Sequence, residues 1–131
     1  MVSLKLWGPA IWKSIHYITM GYPENPTSTD KENYKNFLTM YKNVLPCNMC
    51  SINYEKHLLI NPLTEESLSS RNNLVKWGID MHNIVNKMLN KPILNYDQAY
   101  DVLNKQPTNN YPILLYIIII ILCLIIISII I

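Results

Sequence analysis

The last nineteen residues restrict the fold of this chain more than any other feature. From Ile113 to Ile131 no residue carries a charge, and Ser128 is the only clearly polar one. As a helix this block is about 28 Å long at ~1.5 Å per residue, close to the ~30 Å hydrocarbon core of a bilayer. A helix apolar on every side needs either a large protein core around it or lipid. A chain of 131 residues has room for one compact domain and no core of that size. The position of the block is not that of a cleaved leader. The expectation is a domain over residues 1–106, a linker over 107–111 and a single-pass, tail-anchored membrane span over 112–131.

Half of all residues are hydrophobic, but much of that half sits in the terminal block. The remainder has the composition of an ordinary charged domain. Its formal net charge of +2 is small, and no basic run is interleaved with aromatics, so nucleic acid is set aside as a partner. Three cysteines are present: Cys47, Cys50 and Cys123. Cys123 lies inside the apolar block, where a thiol packs as a small hydrophobe. One isolated Cys-x-x-Cys pair is left for the domain. A secreted disulfide scaffold carries several separated pairs, so the single pair points to redox chemistry or to half of a metal site.

The spacing of apolar residues predicts helices throughout the domain. Trp7, Ile11, Ile15 and Ile18 give a first helix over Leu6–Met20, with Pro9 in its first turn and with Trp12 and His16 sharing a face. A Pro- and Asn-rich loop ends at Thr29 and Asp30, good N-cap residues. A second helix then runs over Lys31–Val44 on the stripe Tyr34, Phe37, Leu38 and Tyr41, and Pro46 stops it. A third helix carries Ile52, Tyr54, His57, Leu58 and Leu59 up to Asn61-Pro62. The segment PLTEES has the character of a helix start. The longest helix spans Ser70 to Asn90, with Leu74, Trp77, Met81, Val85 and Met88 inward, and a short one spans Tyr96–Leu103. No period-two strand is found. The expected fold class is all-α: a four-helix bundle with a short fifth helix, followed by one C-terminal transmembrane helix.

Cys47 and Cys50 follow a proline and open the third helix. The partial positive charge and free N–H groups of a helix N-terminus stabilise a thiolate, and a spacing of three brings both sulfurs to one side of the first turn. Three chemistries compete for this pair. Zinc needs four ligands, and only His57 is near in sequence. A thioredoxin-type site needs strands around the motif. A helical dithiol beside a redox cofactor needs neither, and electron transfer from thiols to oxygen calls for a carrier such as a flavin.

Three segments bear on that choice: WGPAIWKSIH over Trp7–His16, LPCNMC with Cys47 and Cys50, and WGIDMHNIVNKMLNKP over Trp77–Pro92. Together and in this order they resemble the Erv/ALR family of FAD-linked sulfhydryl oxidases, and the resemblance covers about Trp7 to Asp101. It implies FAD as cofactor, with Gly8, Trp12, His16, Tyr22, His82, Asn83, Val85, Asn86, Lys87 and Lys91 at the cofactor and no metal. It implies that Cys47 exchanges with a substrate dithiol and that Cys50 lies against the flavin. Oxygen is then the electron acceptor and hydrogen peroxide the product. The residues themselves agree in part. His82, Val85 and Asn86 share one helical face with Asn83 at its flank. So many polar groups buried beside an inward Trp77 are costly without a polar ligand. Taken singly, each has a plainer reading as a satisfied polar residue, and Trp12 as core.

The chain departs from many members of the family. It has no second, distal cysteine pair and no cysteines for an additional structural disulfide. Thiol-containing protein substrates, or a separate dithiol carrier protein, must then reach Cys47. This short pattern is similar to that of the enzymes of large DNA viruses, which implies a virion or host internal membrane with the domain facing the cytosol. A homodimer through the first helices is a further implication. The alternative from another class is a flavin-free, tail-anchored helical interaction protein or dithiol carrier.

Overall fold

A computed structural model describes residues 3–105 and 111–130 of the chain, with side chains of the terminal helix described over 113–128. Six helices follow one another: α1 (Leu4–Met20), α2 (Ser28–Val44), α3 (Asn48–Ile60), α4 (Arg71–Met88), α5 (Tyr96–Asn104) and α6 (Tyr111–Ile130). No strand is formed among the described residues.

Short polar side chains set the helix starts. Thr27 accepts the Asp30 N–H at 3.1 Å, and the Asp30 carboxylate accepts the Thr27 N–H at 2.9 Å, a reciprocal capping box. Helix α2 therefore begins at Ser28, one turn before the Lys31 expected from the sequence. Asn95 and Gln98 form the same box at the head of α5. Ser70 caps α4 by accepting the Asn73 N–H at 3.3 Å. Helix α4 ends in a left-handed residue, Asn90 (φ 53°), with Lys91 N–H donating to Asn86 O at 2.8 Å and Asn90 N–H to Lys87 O at 3.2 Å. This is the Schellman arrangement, and it stops the regular helix at Met88 rather than at Asn90.

The packing follows the apolar stripes. Helix α1 lies along α4, and α2 pairs with α3 as a hairpin. The main core joins Ile15 of α1, Leu38 and Tyr41 of α2, Tyr54 of α3, and Leu74, Trp77 and Met81 of α4. Tyr22, Leu63 and Leu68 reach in from the connections. Burying one such side chain contributes about 1.5–3 kcal/mol, and truncating fully buried Leu38 or Leu74 to alanine costs about 2–5 kcal/mol. A second, smaller cluster of Val75, Ile79 and Ala99 seats α5 on the other side of α4. Tyr96 also donates its hydroxyl to the Asp80 carboxylate at 3.0 Å.

Several local expectations are corrected. Helix α1 begins at Leu4, so Pro9 stands in the second turn and the Lys5 carbonyl loses its helical donor. The segment PLTEES starts no helix: residues 65–68 are turn, closed by the Leu68 N–H to Thr64 O bond at 3.1 Å. Phe37 and Met88 are each 48% exposed rather than inward. Phe37 sits at the flank of α2 with its edge on Tyr41, and Met88 is the last residue of α4. Helix α6 includes Tyr111, and the rest of the expected linker, 107–110, lies outside the described residues. The side chains described in α6 cover about 24 Å of helix at ~1.5 Å per residue, and over the described residues no helix is long and apolar enough to cross a membrane.

Candidate functional site: a helix-capping disulfide and a histidine pair

Cys47 and Cys50 are joined in a disulfide, with Cα atoms 5.2 Å apart. Cys47 is the N-cap of α3, in extended conformation, and its sulfur accepts the Cys50 N–H at 3.2 Å. The sulfur thus takes the place of the hydroxyl or carboxylate that usually caps a helix. In the reduced pair the same N–H and the helix dipole favour a thiolate at Cys47. Both cysteines are half-buried.

Helices α1 and α4 bring two histidines together. His16 Nε2 and His82 Nδ1 lie 2.9 Å apart, so one ring donates its proton to the other. Trp12 stacks on His82 with ring centroids 4.2 Å apart and planes 3° apart. Gly78 lies where the helices meet. A Cβ there would lie 3.5 Å from Thr19 and 3.8 Å from His16 Nδ1, ordinary van der Waals contact, so the helices pack closely at this point. His16 Nδ1 is buried and has no hydrogen-bond partner. An orphaned buried acceptor is tolerated better than an orphaned N–H. This favours the tautomer in which His16 Nε2–H donates to His82. Burial lowers the pKa of both rings from 6.5 to about 4, and neighbouring His16 and Lys91 push His82 in the same direction. Both rings are therefore neutral at pH 7.

The cluster continues into α5. Asn83 donates to Leu94 O at 2.8 Å and accepts the Leu94 N–H at 3.2 Å, holding the α4–α5 connection with both ends of its amide. His16, His82, Asn83 and Asn86 line a cleft of about 90 Å3 whose far wall is Leu94, Ala99, Val102 and Leu103. Two contacts tie this region to the dithiol helix. Asn53, one turn beyond Cys50, lies 3.8 Å from Met88 Sδ. Asn61, which closes α3, donates to Trp77 O at 3.1 Å, and Trp77 Nε1–H donates to Asn61 O at 3.0 Å.

The profile of the Erv1/Alr family matches residues 9–106. The chain belongs to the Erv1/Alr family. A probable FAD-linked sulfhydryl oxidase of Acanthamoeba polyphaga mimivirus is 48% identical over 107 residues, which cover 82% of this chain and 75% of that protein. The mitochondrial FAD-linked sulfhydryl oxidase ERV1 of Saccharomyces cerevisiae is 35% identical over 85 residues, 65% of this chain and 43% of that one. The solved FAD binding domain of Erv1 from Saccharomyces cerevisiae aligns with a TM-score of 0.67 at 32% identity, covering 72% of this chain and 88% of that chain.

Within this Erv1/Alr domain the residues singled out in the sequence fall into two groups. Trp12, His16, His82, Asn83 and Asn86 converge as described, half-buried Val85 follows on the same helix, and exposed Lys91 lies near enough to lower the pKa of His82. Gly8, Tyr22 and Lys87 do not join them. Gly8 precedes the matched residues, and a Cβ there would meet only Leu4 at 3.5 Å. Tyr22 is fully buried, with its hydroxyl donating to Leu68 O at 2.9 Å and its ring against Tyr34. It is a core residue whose one polar group is satisfied. Lys87 is exposed on the last turn of α4. His57 is buried in α3, its pKa lowered by desolvation. Among the described residues no three His, Cys, Asp or Glu side chains gather at a metal-sized site. Reading the sequence missed Asn61, which served there only as a helix stop, and the α5 side chains of the cleft. Their roles arise from contacts between helices and leave no local signal.

Proposed function

We propose that this protein is an FAD-linked sulfhydryl oxidase that makes protein disulfides with Cys47 and Cys50. The observation that carries the reading is the disulfide at the N-cap of α3 in a domain of this family. The residues present fit the cofactor. The buried, unpartnered His16 Nδ1, the stacked faces of Trp12 and His82, and the amide of Asn86 offer polar and aromatic contacts in one place. Trp12, His16, His82, Asn83, Val85 and Asn86 would hold FAD, with Lys91 near its charged part. A bound FAD supplies two-electron oxidation of the reduced cysteine pair and return of those electrons to molecular oxygen as hydrogen peroxide.

The chain's own residues perform the thiol exchange. A substrate thiolate attacks Cys47 Sγ, a mixed disulfide forms there, and Cys50 leaves as a thiolate. The second substrate thiolate then attacks its own half of the mixed disulfide and releases Cys47. The substrate gains one disulfide and the protein gains two thiols. The leaving Cys47 thiolate is received by the Cys50 N–H at 3.2 Å and by the start of α3.

The apolar block supports a second element of the reading, a membrane anchor. Over residues 113–131 it holds no charge, and α6, Tyr111–Ile130, is a helix of 20 residues that covers all but the last of them. The virion or internal membrane expected from the resemblance belongs to this proposal. So does self-association through α1 and α2, where Leu4, Leu6, Tyr17, Phe37 and Met40 are exposed.

The test is an absorption spectrum of the purified protein, followed by oxygen uptake on adding dithiothreitol. A flavin band near ~450 nm with oxygen consumption and peroxide is the expected result. A folded, colourless and inactive protein sinks the reading and favours the flavin-free alternative.

A further inference from the structure

A groove on the outer side of the α2/α3 hairpin takes no part in the chemistry above. It holds about 340 Å3, far more than the cleft at His16 and His82. Lys35 and Lys42 stand along its α2 wall, and Glu55, Leu58, Leu59 and Leu63 form the α3 wall and floor. Leu59 is 80% exposed and its neighbour Ile60 is 69% exposed. Together with Leu58 they give the end of α3 an adjacent set of aliphatic side chains.

The groove is aligned with the dithiol. Leu58 stands eleven residues beyond Cys47, about three full turns of helix, and so lies on the same face of α3, with Glu55 and Leu59 to one side of it. At ~1.5 Å per residue, Leu58 lies about 17 Å from Cys47 along the helix. An extended chain crossing Cys47 reaches the groove in about five residues at ~3.3 Å each. The charge of the groove is also one-sided. Lys42 is paired with Glu55 at 2.9 Å, whereas Lys35 makes no ion pair among the described residues. One positive charge is left uncompensated beside an apolar floor.

We infer that this groove docks the thiol-protein substrate itself, by a segment carrying a large aliphatic side chain next to a carboxylate, about five residues from the cysteines being oxidised. The aliphatic group covers Leu58, Leu59 and Leu63, and the carboxylate meets Lys35. The inference rests on the oxidase reading for the identity of the partner. The chain has no second cysteine pair to relay oxidation to a distant protein. Exchange with the partner then falls to Cys47 itself, and the groove offers that partner a contact.

The experiment uses the full chain in detergent and two substrates. One is dithiothreitol. The other is a synthetic peptide with Cys-Gly-Ser-Cys, a spacer of about five Gly and Ser residues, and Leu-Asp. In Lys35→Glu the KM for the peptide is expected to rise about tenfold, with kcat and dithiothreitol oxidation unchanged. Leu59→Asp, which alters an exposed position, is expected to act in the same direction. An unchanged peptide KM in both variants overturns the inference, as does an equal loss on both substrates. Binding is also read without turnover, by fluorescence anisotropy of the labelled peptide with serines in place of its cysteines. If the wild-type chain oxidises neither substrate, the oxidase reading has failed. In that case a tenfold weaker affinity of Lys35→Glu for the serine peptide still upholds the groove, and absent or unaltered binding removes it. A fall in molecular mass in Lys35→Glu, with peptide affinity unchanged, marks the groove as a contact between copies of the chain and overturns the inference.

Discussion

The α2/α3 hairpin and the α1/α4 pair are built from helices of similar length, yet they use polar groups in opposite ways. In the hairpin, polar side chains at the helix ends close the structure on itself, and the buried, unpartnered His57 Nδ1 of α3 is the exception. Thr27 and Asp30 cap α2, Tyr54 donates to Leu38 O at 2.9 Å, and Cys47 caps α3 with its own sulfur. In the α1/α4 pair, polar groups are gathered and left open. His16 and His82 satisfy one another at a single contact, His16 Nδ1 has no partner, and Asn86 faces a cleft. Closed polar groups hold a reactive pair rigidly at a helix end. Open ones are costly in the free protein and are repaid when a polar ligand arrives. The two halves thus divide the proposed work, thiol exchange in one and cofactor binding in the other, with the Asn61–Trp77 bonds between them.

Substitution tests that division most strongly. Cys47→Ala and Cys50→Ala are each expected to lower oxygen uptake with dithiothreitol by at least about a thousandfold, ~4 kcal/mol of barrier, while the yellow colour remains. His82→Ala is expected to lose the colour while thiol alkylation still finds the Cys47–Cys50 disulfide. If Cys50→Ala also bleaches the protein, the halves are not separable. Next in size is Asn83→Ala. It deletes two hydrogen bonds to Leu94 and is expected to cost about 2 kcal/mol, seen as a lower Tm and faster hydrogen exchange across α5.

The histidine pair adds a pH dependence, to which buried His57 of the hairpin contributes in the same direction. His16 and His82 titrate near 6.5 when unfolded and near about 4 when folded. Between those values the unfolded state binds more protons, so stability rises with pH. The contribution is complete above ~6.5 and is lost as pH falls toward 4, with a slope of up to ~1.4 kcal/mol per pH unit for each ring. Urea midpoints measured from pH 7.5 to 4.5 should show this slope, and His16→Gln should flatten it relative to wild type. An identical slope in the variant assigns the effect to His57 or to carboxylates elsewhere. The smallest effect belongs to the hairpin's own cap. Thr27→Ala is expected to cost about 1 kcal/mol without changing flavin content.

Much of this was legible in the chain. Period-3.6 stripes located five helices of the domain, since an amphipathic face is written locally in the order of residues. The cysteine spacing and the helix start at Asn48 placed both sulfurs at one turn. Errors arose where a tertiary contact or a cap outweighs the stripe. Phe37 fits the apolar period of α2 but sits at its flank, where nothing covers it. Thr29 and Asp30 are good cap residues, yet Thr27 forms the box because Asp30 is placed to answer it. Tyr22 matched a motif, and packing made it core.

By itself the sequence determined the helical class, the dithiol and the terminal apolar helix, because each depends on neighbours within a few turns. Tertiary structure alone decided which polar groups meet. His16 and His82 are 66 residues apart, and their 2.9 Å contact exists only because α4 packs against α1. The same holds for Asn61 with Trp77 and for the groove between α2 and α3. Such contacts are fixed by the packing of whole helices, and no local pattern encodes which distant polar groups will be left facing each other once the apolar stripes are buried.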